Sequence, residues 1–203
     1  PVIANYRLGR ALGFGGMSEV VEAFDTDRRR SVALKVMRPT DPGRRSEREA
    51  WDREVSILRA IDVAGVVPLL DAGIGEGGEL YIAMPLLEGR SARGELASLR
   101  RCGLEARAAA SYDILLPALL NLCDTLQHVH QQGVLHCDLK PSNVFLPRPG
   151  SARCGRGLLL DWGVSVMRER GRVVSQGEGG RPGGTPGYMS PEQIVRRVAD
   201  LDP

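Results

Sequence analysis

The chain has 203 residues, 42% apolar and 26% charged, with a formal charge of +2. This ordinary globular composition excludes a disordered or collagen-like chain, and so balanced a charge gives no basic field for nucleic acid and no acidic tail. The cysteines Cys102, Cys123, Cys137 and Cys154 are sparse and lack C-x-x-C spacing, which favours reduced thiols over a disulfide framework.

No apolar run approaches the ~18 residues of a membrane span, so the sequence predicts no membrane segment and no leader here. The start at Pro1 and the bare Leu-Asp-Pro ending predict a piece of something longer. YRLGRALG, SEVVEAFD and SVALKVM, separated by a glycine cluster and the turn TDRRR, predict antiparallel strands. Ser46, three residues before Glu49, matches a capping box and predicts a helix to about Ile61. Trp51, Leu58 and Ile61 recur at helical spacing with Glu54 on the same face. Burying a lone carboxylate costs on the order of several kcal/mol, so Glu54 either reaches water at the stripe's edge or meets a cation. VVPLLDAG and ELYIAMPLL, around the turn GIGEGG, complete a sheet of about five strands.

Residues 104–132 read as helix-rich, with Pro117 marking a first turn or kink and Gly133 a stop. Loops and short strands follow His136 until the helical start PEQIVRRV, and GEGGRPGG at 177–184 predicts a mobile loop. No internal repeat is present.

Three motifs carry chemistry. GFGGMSEV at 13–20 is a glycine loop between strands, where absent Cβ atoms let backbone N–H groups approach phosphates; by itself it equally suits a tight hairpin. VALK at 32–35 ends a strand on Lys35, which alone would be solvated but would supply the cation that an inward Glu54 needs. HCDLKPSN at 136–143 admits a Cys/His nucleophile, a metal site, or a loop placing a carboxylate and an amide around a phosphorylated substrate. Cys137 has no adjacent activating base in an extended segment, and a zinc site would want paired Cys/His ligands. His128 and His130, near the end of an apolar helix, read as packing residues rather than ligands.

With LLLDWG ending on Asp161 and GTPGYMSPE at 184–192, the motifs stand in an order that resembles Hanks-type (eukaryotic-like) serine/threonine protein kinases, with bacterial features in the GGM loop and GTPGYMSPEQ. The resemblance spans residues 6–192. It implies an α+β, bilobal protein-kinase fold over residues 1–203: an N-lobe (1–87) with a five-stranded antiparallel sheet and one helix, and a mainly helical, incomplete C-lobe (88–203) lacking its C-terminal helices.

The resemblance also implies transfer of the γ-phosphoryl group of ATP to Ser/Thr hydroxyls of proteins, with Mg²⁺, or Mn²⁺ as an alternative. Lys35 would hold the α- and β-phosphates with Glu54 bracing it, Asp138 would accept the hydroxyl proton, Lys140 would steady the γ-phosphate, and Asn143 and Asp161 would bind the metal. Leu12, Gly13, Gly15, Gly16, Val20, Ala33, Met84 and Leu87 would surround the nucleotide, with Met84 as gatekeeper and residues 85–87 as hinge. Leu58, Leu69, His136 and Trp162 would form a packed spine. Trp162, in place of phenylalanine, would keep the spine filled and add an indole N–H bond. Thr185 resembles the threonine that bonds the base region. Autophosphorylation and dimerisation are compatible with such a kinase, as is a cytoplasmic domain tethered to a membrane from outside this segment. The alternative is a nucleotide-binding pseudokinase, against which stand the retained Lys35, Asp138 and Asp161.

Two departures matter. Cys137 replaces an arginine that in many relatives collects an activation-segment phosphate, which predicts activity independent of that phosphorylation. Ser175 is the test: if Ser175→Ala abolished activity and phosphorylation of Ser175 restored it, this expectation would be wrong. The family's anchoring C-terminal helices are the second departure. Without them Glu192 would lack its arginine partner, and residues 105–145 would leave apolar surface uncovered, so the expectation is either a fragment of a longer protein or a poorly stable, inactive piece.

Overall fold

The computed structural model describes residues 1–15, 18–37, 45–148, 150–151, 156–169, 172–175, 183–195 and 201, with backbone only at 45–46, 106–107, 110–112, 168–169 and 172–175. Two compact units emerge: Pro1–Arg59 with Pro68–Leu87, and Ala60–Val67 with Glu88–Pro203.

The first unit is an antiparallel sheet and one helix. Strands β1 (Val2–Ile3), β2 (Tyr6–Phe14), β3 (Ser18–Asp25), β4 (Arg30–Met37), β5 (Asp71–Ile74) and β6 (Leu80–Pro85) lie in the order β1-β2-β3-β4-β6-β5. The sixth strand is the short β1, beyond the five expected. Of VVPLLDAG the DAG end is strand in this sheet and the Leu70 N–H donates to the Ala83 carbonyl at 2.8 Å, whereas Val66 bridges Leu159 in the second unit. Alternation along β4 explains the core. Val32, Leu34 and Val36 are buried on one face with Ile3, Tyr6, Val21, Ala23, Tyr81 and Ala83, which leaves Ala33 and Lys35 on the other face. Asp25 closes the β3–β4 turn: its Oδ1 accepts from Asn5 Nδ2 at 2.9 Å and from the N–H groups of Asp27 and Arg28 at 3.2 and 3.0 Å.

Helix α1 spans Arg45–Ala60, so Ser46 stands inside the helix, and the expected capping contact lies outside the described residues. Trp51, Val55, Ile57 and Leu58 are buried, and the Trp51 indole N–H donates to the Tyr81 carbonyl at 3.2 Å, fastening the helix to β6.

The second unit carries β7 (Gly89–Ser91), α2 (Ala92–Leu99), α3 (Leu104–Ala110), α4 (Leu116–Gln131), β8 (Val134–Leu135), β9 (Val144–Pro147), β10 (Leu158–Leu159), β11 (Val166–Glu169), β12 (Arg172–Ser175) and α5 (Pro191–Ile194). Its strands form two small sheets, β10-β9-β7 and β12-β11-β8. Helix α2 escaped the sequence reading. Its signal was Ser91, whose hydroxyl accepts the Gly94 N–H at 3.2 Å as an N-cap.

Between α3 and α4 runs one π-turn, Ser111–Leu115, immediately before Pro117. Proline has no N–H and its ring crowds the carbonyl four residues back, so the wider turn takes up the clash. Gly133, at φ +76°, donates to the His130 carbonyl at 2.8 Å and ends α4 as expected.

Leu104 of α3 and Leu116, Leu119 and Leu120 of α4 are exposed. Among the described residues no helix is long and apolar enough to cross a membrane. The glycine-rich stretch 177–182 lies outside the described residues.

Candidate active site

Lys35 sits in β4 between Val20 of β3 and Ile82 of β6. Its Nζ donates to both oxygens of Glu54, at 2.7 and 2.8 Å, and the two side chains are 11% and 5% exposed. Glu54 therefore turns inward to a cation, which decides between its two sequence readings. The Ala33↔Met84 pair lies one step along the same face from the Val20↔Lys35 pair. Leu87 follows β6, half-buried. Leu12 and Gly13 lie in β2, Gly13 opposite Val20, and the Gly15 N–H closes the turn onto the Ser18 carbonyl at 2.7 Å. Gly16 lies outside the described residues. All these positions belong to the first unit.

The remaining candidates gather in the second. Asp138 is buried, and each of its carboxylate oxygens is engaged. Oδ1 accepts the Thr185 N–H at 2.8 Å, while Oδ2 accepts from Lys140 Nζ at 2.5 Å and from Asn143 Nδ2 at 3.1 Å. Lys140 Nζ also reaches Thr185 Oγ1 at 2.6 Å, and Asn143 Nδ2 meets the Asp138 carbonyl at 2.9 Å. Burial pushes the Asp138 carboxyl up, but the hydrogen bonds from Lys140 and Thr185, with the charge of Lys140, outweigh it and hold the group below the usual carboxylate range. A carboxylate held in this way is ionised at neutral pH.

His136 is a packed residue. Burial keeps its ring neutral, with pKa below the ordinary value despite the bond to the Leu160 carbonyl. Nε2 donates to that carbonyl at 2.9 Å and Nδ1 accepts the Asp138 N–H at 3.3 Å, so its partners fix the tautomer. Its carbonyl accepts from the buried Ser165 hydroxyl at 3.1 Å. Cys137 adopts φ +62°, a left-handed conformation costing a non-glycine residue about 1–3 kcal/mol. Its thiol, pushed up to about 11 by burial, packs with Leu135, Val166 and Leu201 and is no nucleophile.

Asp161 is exposed and also left-handed, at φ +61°. Its neighbours tie it to the loop: the Leu160 N–H donates to the Asn143 carbonyl at 2.9 Å, and the Trp162 ring lies 4.7 Å from that of His136. Trp162 fills its place at 1% exposure. The added indole bond that the sequence suggested is absent, because the buried Nε1 meets no acceptor among the described residues. Glu192, expected to lack an arginine partner, meets the Ser190 hydroxyl, which with its own N–H holds the carboxylate below the usual range.

The family model for the protein kinase domain matches residues 6–201. The chain belongs to this family. Among curated relatives, the kinase domain is 30% identical to the serine/threonine-protein kinase PknD of Chlamydia trachomatis over 94% of its own length and 22% of the relative's. It is 34% identical to pkn2 of Myxococcus xanthus, covering 96% of this chain and 22% of that protein. With the DNA damage-responsive serine/threonine-protein kinase RqkA of Deinococcus radiodurans it shares 36% identity over 93% of this chain and 26% of the relative. The kinase domain thus spans about a quarter or less of these relatives. The two units match the family's mixed α+β fold, with an antiparallel sheet in the first.

The family uses ATP and a divalent metal. The described residues hold no cluster of three or more His, Cys, Asp or Glu side chains suited to a metal. Mg²⁺ does not need one, since it is commonly held by one or two protein oxygens together with substrate phosphates. The donor set fits. Asn143 commits its amide nitrogen to Asp138, its oxygen, a hard donor, accepts the long 3.5 Å contact from the Ser142 hydroxyl, and Asp161 is an exposed residue. The sequence reading passed over Ser165 and Gln193. Gln193 follows Glu192 directly, and only the tertiary fold brings its carboxamide to the catalytic loop.

Proposed function

We propose that the protein transfers the γ-phosphoryl group of ATP to serine or threonine hydroxyls of protein substrates, as a bacterial signalling kinase acting in the cytoplasm. The observation that carries this reading is the buried Asp138 carboxylate, gripped at once by Lys140, Asn143 and Thr185.

In this reading Asp138 orients the substrate hydroxyl and takes its proton, and its lowered pKa keeps the carboxylate ionised at neutral pH while making it a weak base that relies on position. Lys140 and Thr185 hold that carboxylate in place. Lys140 would turn its ammonium to the transferring phosphoryl group, and Lys35, braced by Glu54, would hold the α- and β-phosphates. Asn143 and Asp161 would hold Mg²⁺, which neutralises charge on the phosphate oxygens when bound. Around the adenine, Val20, Ala33, Met84 and Leu87 offer apolar surface, and Leu12, Gly13, Gly15 and Gly16 would cover the phosphates. No feature favours the pseudokinase reading, since Lys35, Asp138 and Asp161 are all retained.

The test incubates the full-length protein with γ-labelled ATP, Mg²⁺ and a generic Ser/Thr protein substrate, beside Asp138→Ala. Label should appear on serine or threonine with the parent and not with the variant. Equal label in both would remove Asp138 from the mechanism, and label on tyrosine would overturn the substrate class.

A further inference from the structure

Gln193 is 7% exposed, on the short helix α5, and its carboxamide spends both donors on the backbone of two other segments. Nε2 donates to the Cys137 carbonyl at 2.7 Å and to the Gly183 carbonyl at 2.9 Å, while Oε1 accepts the Ser190 N–H at 3.1 Å. The amide orientation follows from these partners, because the flipped form would set an oxygen against two carbonyls. Cys137 directly precedes Asp138. Gly183 stands two residues before Thr185, whose N–H and hydroxyl meet Asp138 and Lys140.

Gly184 confirms how closely the segments meet. It takes φ +142°, and a Cβ there would come within 2.8 Å of the Cys137 carbonyl oxygen and 3.2 Å of Gln193 Nε2. Only glycine lets the chain pass between Gln193's acceptor and the turn into Thr185.

We infer that Gln193 is a positioning residue for the catalytic base, its carboxamide fastening the loop that carries Asp138 to the segment that carries Thr185. It touches neither substrate nor the reacting atoms and acts through Cys137 and Gly183. The inference rests on the reading of Asp138 as the base, but its structural half can be measured without any turnover.

The experiment uses the full-length protein with Gln193→Met, of similar length but without hydrogen bonds, and Gln193→Glu, which offers only acceptors to the two carbonyls. Hydrogen exchange at the Thr185 N–H should speed up about tenfold or more in both, since the bond to Asp138 loses its support. kcat should fall about 10- to 100-fold, the scale of a misplaced catalytic group, while KM for ATP stays within about twofold.

Unchanged exchange at Thr185 in either variant would overturn the inference. So would loss of ATP-analogue binding in parallel with kcat, which would make Gln193 a general folding residue. A parent protein that transfers no phosphoryl group would sink the functional reading by itself, and Thr185 exchange would then decide the inference alone.

Discussion

Asp138→Asn should lower phosphoryl transfer by about 10²- to 10⁴-fold, the range that a positioned general base supplies. The substitution keeps the shape and one acceptor, so the Thr185 N–H, 2.8 Å from Oδ1, retains a partner. It removes the charge that Lys140 meets at 2.5 Å and the lone pairs that take a proton. Initial rates at saturating ATP measure the loss, and unchanged ATP-analogue binding would localise it to the chemical step.

The acid side of the profile tests the same carboxylate. Because Asp138's pKa is lowered, the base stays ionised through neutral pH, and activity falls only as the pH drops through a value below the ordinary one of about 3.9. The sign for stability is the same: the contribution is present above the unfolded-state pKa and lost as the pH falls through the depressed one. Lys140→Met removes the leading lowering contact and should move the acid limb upward.

Lys35→Met is expected to have the second large effect, on two properties at once. It removes the cation proposed to hold the phosphates, and it takes from the buried Glu54 the ammonium whose donors both its oxygens accept. Breaking a buried pair by removing one partner costs about 3–5 kcal/mol, because a desolvated charge is left behind. Thermal or urea unfolding should show that loss. The double variant Lys35→Met/Glu54→Leu should recover most of the stability while transfer stays lost, since a buried pair replaced by apolar groups is often neutral. If the double variant were as unstable as the single one, the cost would lie in lost packing around Lys35 rather than in the stranded carboxylate.

Much of the site was legible because its residues sit in short motifs. VALK put Lys35 at a strand position whose neighbours Leu34 and Val36 had to be buried, so the lysine had to face the other way. HCDLKPSN placed Asp138, Lys140 and Asn143 in one tight loop, where they could only be neighbours.

The fold was less legible where local pattern and tertiary pairing disagree. VVPLL looks like a strand of the first sheet, yet Val66 pairs with Leu159 in the second unit, a choice made by a partner far along the chain. Trp162 read as a group that would find a hydrogen bond, but the fit of its ring beside His136 buries the indole N–H with no acceptor among the described residues. Gln193 ends an S-x-x-Q capping box begun by Ser190, a pattern that signals a helix start but not which carbonyls the fold delivers to its amide.

The left-handed turn at Cys137 also bears on covalent chemistry. A thiol that titrates at about 11 is ionised in about one molecule in 10⁴ at pH 7, and the thiolate is the form that attacks electrophiles. Among the described cysteines, an alkylating reagent would meet the exposed Cys102 and Cys123 before the half-buried Cys137. A warhead aimed at the cysteine beside the base would find a thiol already occupied as an apolar filler, and selectivity gained at that position would have to come from its shape.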